Sequence, residues 1–181
     1  MQKSKQIILG VTASIAIYKA CELLRRLKSR GYSVIVVMTA EAEELIRPVV
    51  FQSLSGNKVY RGSLFDAPEA REIEHVSLAN SADMVLVAPA TANILGKVAS
   101  GISDDILSCT ICATKAPVLF APAMNENMYF NKITQANILK LKGYGYKFIA
   151  PCRGELACGK TGVGCLAETE DIVALVKKML R

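Results

Sequence analysis

The chain has 181 residues, 51% apolar and 21% charged, with a net charge of +6 at pH 7. That length suits one domain with a real core. The composition excludes a disordered tail, and no apolar run approaches the ~20 residues of a membrane span.

The first element is a buried strand, Ile7-Ile8-Leu9-Gly10-Val11. Lys3 and Lys5 ahead of the run Ile7 to Ile17 give it a superficial likeness to a secretory signal, but Gly10, Thr12 and Ser14 interrupt the run and it passes directly into a helical pattern. Ser14 is the expected N-cap of that helix, with Ile17, Ala20, Leu23, Leu24 and Leu27 at helical spacing and Gly31 as its stop. A second strand, Val34 to Met38, leads to a helix over Glu41–Ile46 and a break at Pro48; Gly56 to Arg71 reads as a long irregular loop. Met84 to Ala88 and Val118 to Ala121 are inner strands, each ending at a proline. Helices are expected at Ala92–Ala99 and at Asp104–Thr114, the latter capped by Ser103. A helix near Ile133–Leu141 and a short strand at Lys147–Ile149 follow. Then come a glycine-rich stretch, Gly154 to Gly164, and a closing helix from about Glu170.

Apolar runs alternating with amphipathic stretches predict a doubly wound α/β domain of Rossmann or flavodoxin-like type, with a parallel sheet, over 1–181. In such sheets ligands bind at the carboxyl ends of the strands, so the strand exits are the place to look. The first exit, Thr12-Ala13-Ser14-Ile15, lacks the glycines of a dinucleotide turn; free amides with two hydroxyls suit a single terminal phosphate, and equally a plain helix cap. The other two exits echo each other, Pro89-Ala90-Thr91-Ala92-Asn93 and Pro122-Ala123-Met124-Asn125. Asn93 and Asn125 either face one cleft from neighbouring strands or serve as turn and cap residues. His75 is the one histidine, so a general base of ordinary type falls to it, although a lone histidine is commonly structural.

Two sharper-looking patterns weaken on inspection. Gly154-Glu155-Leu156-Ala157-Cys158-Gly159-Lys160-Thr161 satisfies the P-loop spacing, but Pro151 interrupts the approach, and Gly162 and Gly164 oppose the helix that the mechanism needs after Lys160-Thr161. A flexible flap near 152–168 fits better. Cys109 and Cys112 have a zinc-like spacing without a second short pair, and an apolar helix would bury both as small hydrophobes. No metal is expected. The dense basic group Lys19, Arg25, Arg26, Lys28 and Arg30 reads as a solvated helix face, not a nucleic-acid surface. Six cysteines without a convincing signal point to a reducing cytoplasm.

Together these motifs resemble the homo-oligomeric flavin-containing cysteine decarboxylases. The carriers are Pro122-Ala123-Met124-Asn125-Glu126-Asn127-Met128, Pro89 to Asn93, Leu156-Ala157-Cys158-Gly159 with Gly162 and Gly164, and His75, in one order along nearly the whole chain. The resemblance implies bound FMN contacting Ala13, Ser14, Ile15, Thr39, Thr91, Ala92, Asn93, Ile94 and Ala123. It implies catalysis by His75, Asn125 and Cys158, and substrate contacts from Met124, Asn125 and Met128. It also implies a homotrimer, or a multiple of trimers, with active sites between subunits. The expected reaction is decarboxylation of a phosphorylated cysteine conjugate, 4'-phosphopantothenoylcysteine, in coenzyme A biosynthesis; a peptide ending in cysteine or a non-catalytic flavin-binding role are the alternatives. Three positions depart from the family pattern: Tyr129 where Trp is common, Cys165 where many members carry Arg, and Ile94 where Thr would add a flavin hydrogen bond.

Overall fold

The structure, a computed structural model, describes residues 4–62, 74–157 and 159–181. Strand β1 (Gln6–Val11) leads to helix α1 (Ile17–Ser29), then to β2 (Ser33–Met38) and α2 (Ala40–Leu45). Here Pro48 does not simply break the chain: it opens α3 (Pro48–Ser55) from the first helical turn, where its missing N–H costs nothing. The expected loop after Gly56 contains a short strand, β3 (Val59–Arg61), and residues 63–73 of it lie outside the described residues. Helix α4 (Glu74–Ser81) precedes β4 (Met84–Ala90), α5 (Ala92–Ser100) and α6 (Ile106–Ala113). Strand β4 runs through Pro89 instead of ending there, and its pairing with β5 (Val118–Pro122) shifts register between Val87 and Ala90, around the residue that has no N–H to give. Next come α7 (Glu126–Phe130), α8 (Lys132–Gly143), β6 (Lys147–Phe148), β7 (Cys152–Glu155), β8 (Thr161–Cys165) and α9 (Thr169–Met179).

Six strands form one parallel sheet in the order β3-β2-β1-β4-β5-β6, the doubly wound order. Alternation along each strand sorts the core into two layers. Ile7, Leu9, Val36, Leu86 and Leu119 face α1, α3 and α9; Ile8, Val37, Val85, Val87 and Phe120 face α4, α5, α6 and α8. A strand buried on both faces needs an unbroken apolar run, which is why these four inner strands stood out. The direction of winding across the sheet reverses between β1 and β4: β1 continues through α1 on one face, and β4 continues through α5 on the other. The carboxyl end of that junction is a topological switch point.

Two helix caps differ from expectation. Asp105, not Ser103, caps α6 through a reciprocal box, its carboxylate accepting Ser108 N–H at 2.7 Å while Ser108 Oγ accepts Asp105 N–H at 3.1 Å. On the same helix Cys109 is buried but Cys112 is exposed, so only one of that pair is a core residue.

Candidate active site

A cleft of about 540 Å³ opens at the switch point, within the range of small-ligand sites. Its floor is made by the exits of β1, β4 and β5. Thr12 fastens the first two together: its hydroxyl donates to Pro89 O at 2.7 Å and accepts from Thr91 N–H at 3.1 Å. That hydroxyl is therefore structural. Ser14 does not cap α1, because a tight turn intervenes: Ser14 N–H donates to Thr12 O, Ser14 Oγ accepts Ala16 N–H at 3.3 Å, and the helix starts after Ala16. The turn still presents Ala13, Ser14 and Ile15 to the cleft. Ile15 is 63% exposed, an apolar side chain held at the rim of a concave site.

From β4, Thr91 caps α5 by accepting Ile94 N–H at 3.4 Å, and Thr91 and Ala92 line the cleft. Asn93 is exposed and Ile94 is buried in the α5 core; neither is among the lining residues. From β5, Ala123, Met124, Asn125 and Met128 line it. Asn125 caps α7, its Oδ1 accepting Asn127 N–H at 2.9 Å, and it also lines the cleft, a position that Asn93 does not share.

The glycine-rich stretch is an ordered antiparallel hairpin, β7 with β8, that walls the cleft. It docks on the β5 exit by backbone. Met124 N–H donates to Gly164 O at 3.0 Å, and Val163 N–H donates to Glu126 Oε1 at 2.8 Å. The glycines make this approach possible: a Cβ on Gly164 would lie 2.1 Å from Met124 O, and one on Gly162 would lie 2.8 Å from the Glu126 carboxylate. No helix follows Lys160-Thr161, which enters β8, so the P-loop spacing is coincidental. Cys158 lies outside the described residues.

Thr39 follows β2 at the same sheet edge, tied to β1 by Thr39 N–H to Val11 O at 3.1 Å. It does not line the cleft, yet its Oγ1 is buried without a hydrogen-bond partner among the described residues, an expensive state for a hydroxyl unless a ligand group meets it. His75 is half-buried in the first turn of α4 and is likewise absent from the cleft wall. The last turn of α4 sits by the start of β1, where Gln6 Nε2 donates to Ser81 Oγ, and Glu74 pairs with Lys58 further along the sheet. At ~1.5 Å per residue, His75 is displaced by about 9 Å from that amino edge toward the carboxyl edge.

The wall also carries charges that the sequence reading did not place there, Lys19 having been read as part of a solvated helix face. Lys19 lies 3.8 Å from Glu168, Glu155 faces the cleft from β7, and Arg153 has no ion-pair partner among the described residues. For Arg153 and Glu155 the signal was the alternation within β7, obscured by Gly154. Burial, with the neighbouring Cys165 and Glu168, pushes the Cys152 thiol pKa up.

The described residues fit a flavin on their own chemistry. The floor is lined by small side chains (Ala13, Ala92, Ala123) that leave room for a flat ring, and Ser14 and Thr91 add hydroxyls. Among the described residues no helix is long and apolar enough to cross a membrane.

The whole chain, residues 1–181, matches the model of the family described as Flavoprotein. It is 44% identical over 178 residues to a coenzyme A biosynthesis bifunctional protein CoaBC of Bacillus subtilis, covering 98% of this chain but 44% of that protein. It thus spans less than half the length of such bifunctional relatives. It is 43% identical over 179 residues to a probable phosphopantothenoylcysteine decarboxylase of Streptococcus mutans, covering 98% of this chain and 99% of that one. Among solved structures, a variant PPC decarboxylase complexed with pantothenoylaminoethenethiol superposes with a TM-score of 0.87 at 28% identity, covering 97% and 98% of the two chains. The FMN-dependent cysteine decarboxylase SpaF superposes with a TM-score of 0.84 at 27% identity, covering 97% and 95%.

Proposed function

From the premise that the chain belongs to the Flavoprotein family, we propose that it binds FMN in the switch-point cleft and decarboxylates 4'-phosphopantothenoylcysteine. The carrying observation is the cleft itself, in which the exits of β1, β4 and β5 bring Ala13–Ile15, Thr91–Ala92 and Ala123–Asn125 into one wall under a docked hairpin. Ala13, Ser14, Ile15, Thr91, Ala92 and Ala123 would hold the flavin directly, and Thr39 would answer it from behind. The core position of Ile94 leaves it only backbone contacts to offer.

A cysteinyl carboxylate cannot simply lose CO2, since nothing adjacent accepts the electron pair left behind. When bound, FMN supplies a reversible two-electron acceptor for the carbon that carries the thiol. Asn125 would hold the carboxylate by its side-chain amide and fix the breaking bond, with Met124 and Met128 packing the substrate beside it. His75 would take the substrate thiol proton, and Cys158 would return a proton to the product carbon. Arg153 and Lys19 place positive charge on the cleft wall, which suits the phosphorylated end of the substrate.

Because His75 stands on α4 and not in its own chain's cleft wall, the reading includes a homotrimer, or a multiple of trimers, in which one subunit's His75 completes a neighbour's site. The expected setting is the cytoplasm.

The test is direct. The purified protein should be yellow and should release CO2 from 4'-phosphopantothenoylcysteine, and Cys158→Ser should stall at an oxidised enethiol product. Release only from a peptide ending in cysteine would reassign the substrate. A colourless protein, or a yellow one inert toward both, would overturn the decarboxylase reading.

A further inference from the structure

Two thiols border the cleft without a part in the reaction above. Cys152 and Cys165 are partners in the antiparallel β7–β8 ladder at the open end of the hairpin, beside a register shift between Cys152 and Arg153 that leaves Gly164 as the extra residue. Direct antiparallel partners have Cα atoms about 4.5–5.5 Å apart, inside the roughly 4.4–6.8 Å that a disulfide spans. Both cysteines are free and half-buried. Each sulfur is held only by weak contacts: Cys165 Sγ donates to Glu155 O at 3.4 Å, and Cys152 Sγ donates to Leu166 O at 3.2 Å with Glu168 Oε1 at 3.9 Å. Gly154 gives Cys165 room to turn, since a Cβ there would lie 3.1 Å from its sulfur. The remaining described cysteines, Cys21, Cys109 and Cys112, have no cross-strand partner, standing on α1 and α6.

We propose that Cys152 and Cys165 are a disulfide-forming pair in the cleft wall, closed by hydrogen peroxide and reopened by thiols. The step balances. The Cys165 thiolate attacks the peroxide, the O–O bond breaks, and a sulfenic acid forms as hydroxide leaves. The Cys152 sulfur then attacks that sulfenic sulfur, the S–S bond forms, and the S–O bond breaks with loss of water. Two electrons pass from the thiols to one peroxide, which ends as two waters. Burial and neighbouring negative charge keep the Cys152 thiol protonated to higher pH, which suits it to the resolving step. This inference rests on strand register and not on the decarboxylase reading, so either can fail alone.

The cleavage pattern of trypsin makes the test clean, because Lys147, Arg153, Lys160 and Lys177 place Cys152, Cys158 and Cys165 in three separate peptides, 148–153, 154–160 and 161–177. Reduced protein is treated with limiting hydrogen peroxide, its mass and free thiols are measured, and the digest is mapped without reductant. The expected result is a mass fall of about 2 Da, the hydrogens of the two thiols, a 148–153 peptide linked to 161–177, and full reversal by dithiothreitol. Cys152→Ser should leave Cys165 as a sulfenic acid that a dimedone probe labels. Linkage through 154–160, or peroxide oxidation to sulfinic acid with no linked peptide in the wild type, would overturn the proposal.

Discussion

A buried hydroxyl with nothing to bind costs a folded protein about 1–3 kcal/mol, and Thr39 Oγ1 is such a group. Valine keeps its shape and removes its polarity. Thr39→Val should therefore raise the stability of the flavin-free protein by about 1 kcal/mol while weakening FMN roughly tenfold. Thermal unfolding without FMN and a fluorescence titration with it read the two effects separately; a loss in both would show that the hydroxyl has a protein partner after all. Arg153→Gln should raise KM for the phosphorylated substrate roughly fivefold and leave kcat nearly unchanged, a modest effect because an exposed guanidinium is screened. The dephosphorylated substrate should show no such change, and added salt should mimic the variant. Neither effect was equally visible in the sequence. Thr39 was named through the family resemblance, whereas Arg153 could be seen only once β7 was known to alternate.

The hairpin shows why elements differ in legibility. Strands β1, β2, β4 and β5 are buried on both faces, so each is an apolar run that needs no context. Strands β7 and β8 contain Gly154, Gly162 and Gly164 and read as a loop, because their ladder depends on tertiary contacts that only glycine permits. Gly164→Ala should cost about 3 kcal/mol, since the obstacle is a backbone carbonyl that cannot rotate away. Limited trypsin should then cut faster after Arg153 and Lys160. Gly143 is the control: near the end of α8 a Cβ meets nothing within 4 Å, and Ala there should stabilise by about 0.5 kcal/mol. Helix α3 was missed for a different reason. Proline stops a helix from inside and starts one from its first turn, and sequence alone does not say which end is in view.

For the whole molecule, strand order did more than any single motif to position the site, for it brings the β1 and β4 exits side by side although 77 residues separate Thr12 from the Pro89 carbonyl it binds. The fold class was legible from alternation alone, but the cleft wall was only partly so. Ala13, Thr91, Ala123 and Asn125 converge as expected, and His75 does not. The proposed sharing of sites between subunits makes a quantitative claim. Co-expressed His75→Asn and Asn125→Ala chains, each inactive alone, should assemble with about a quarter of their sites carrying both wild-type residues, as random assortment in a symmetric ring requires. Activity near that level supports shared sites; none at all would place His75 and Asn125 in the same subunit's chemistry.

The docking of the hairpin carries a consequence for how this cleft can change over generations. Its grip on the β5 exit uses backbone atoms of Met124, Val163 and Gly164 with one carboxylate, Glu126. The hairpin side chains that line the cleft, Cys152, Arg153 and Cys165 among them, take no part in that grip. Selection can thus rewrite what the wall recognises, one strand position at a time, while the two glycines that seat it stay fixed. Asn125 sits between the two anchor residues Met124 and Glu126, so a new specificity is acquired without moving the asparagine.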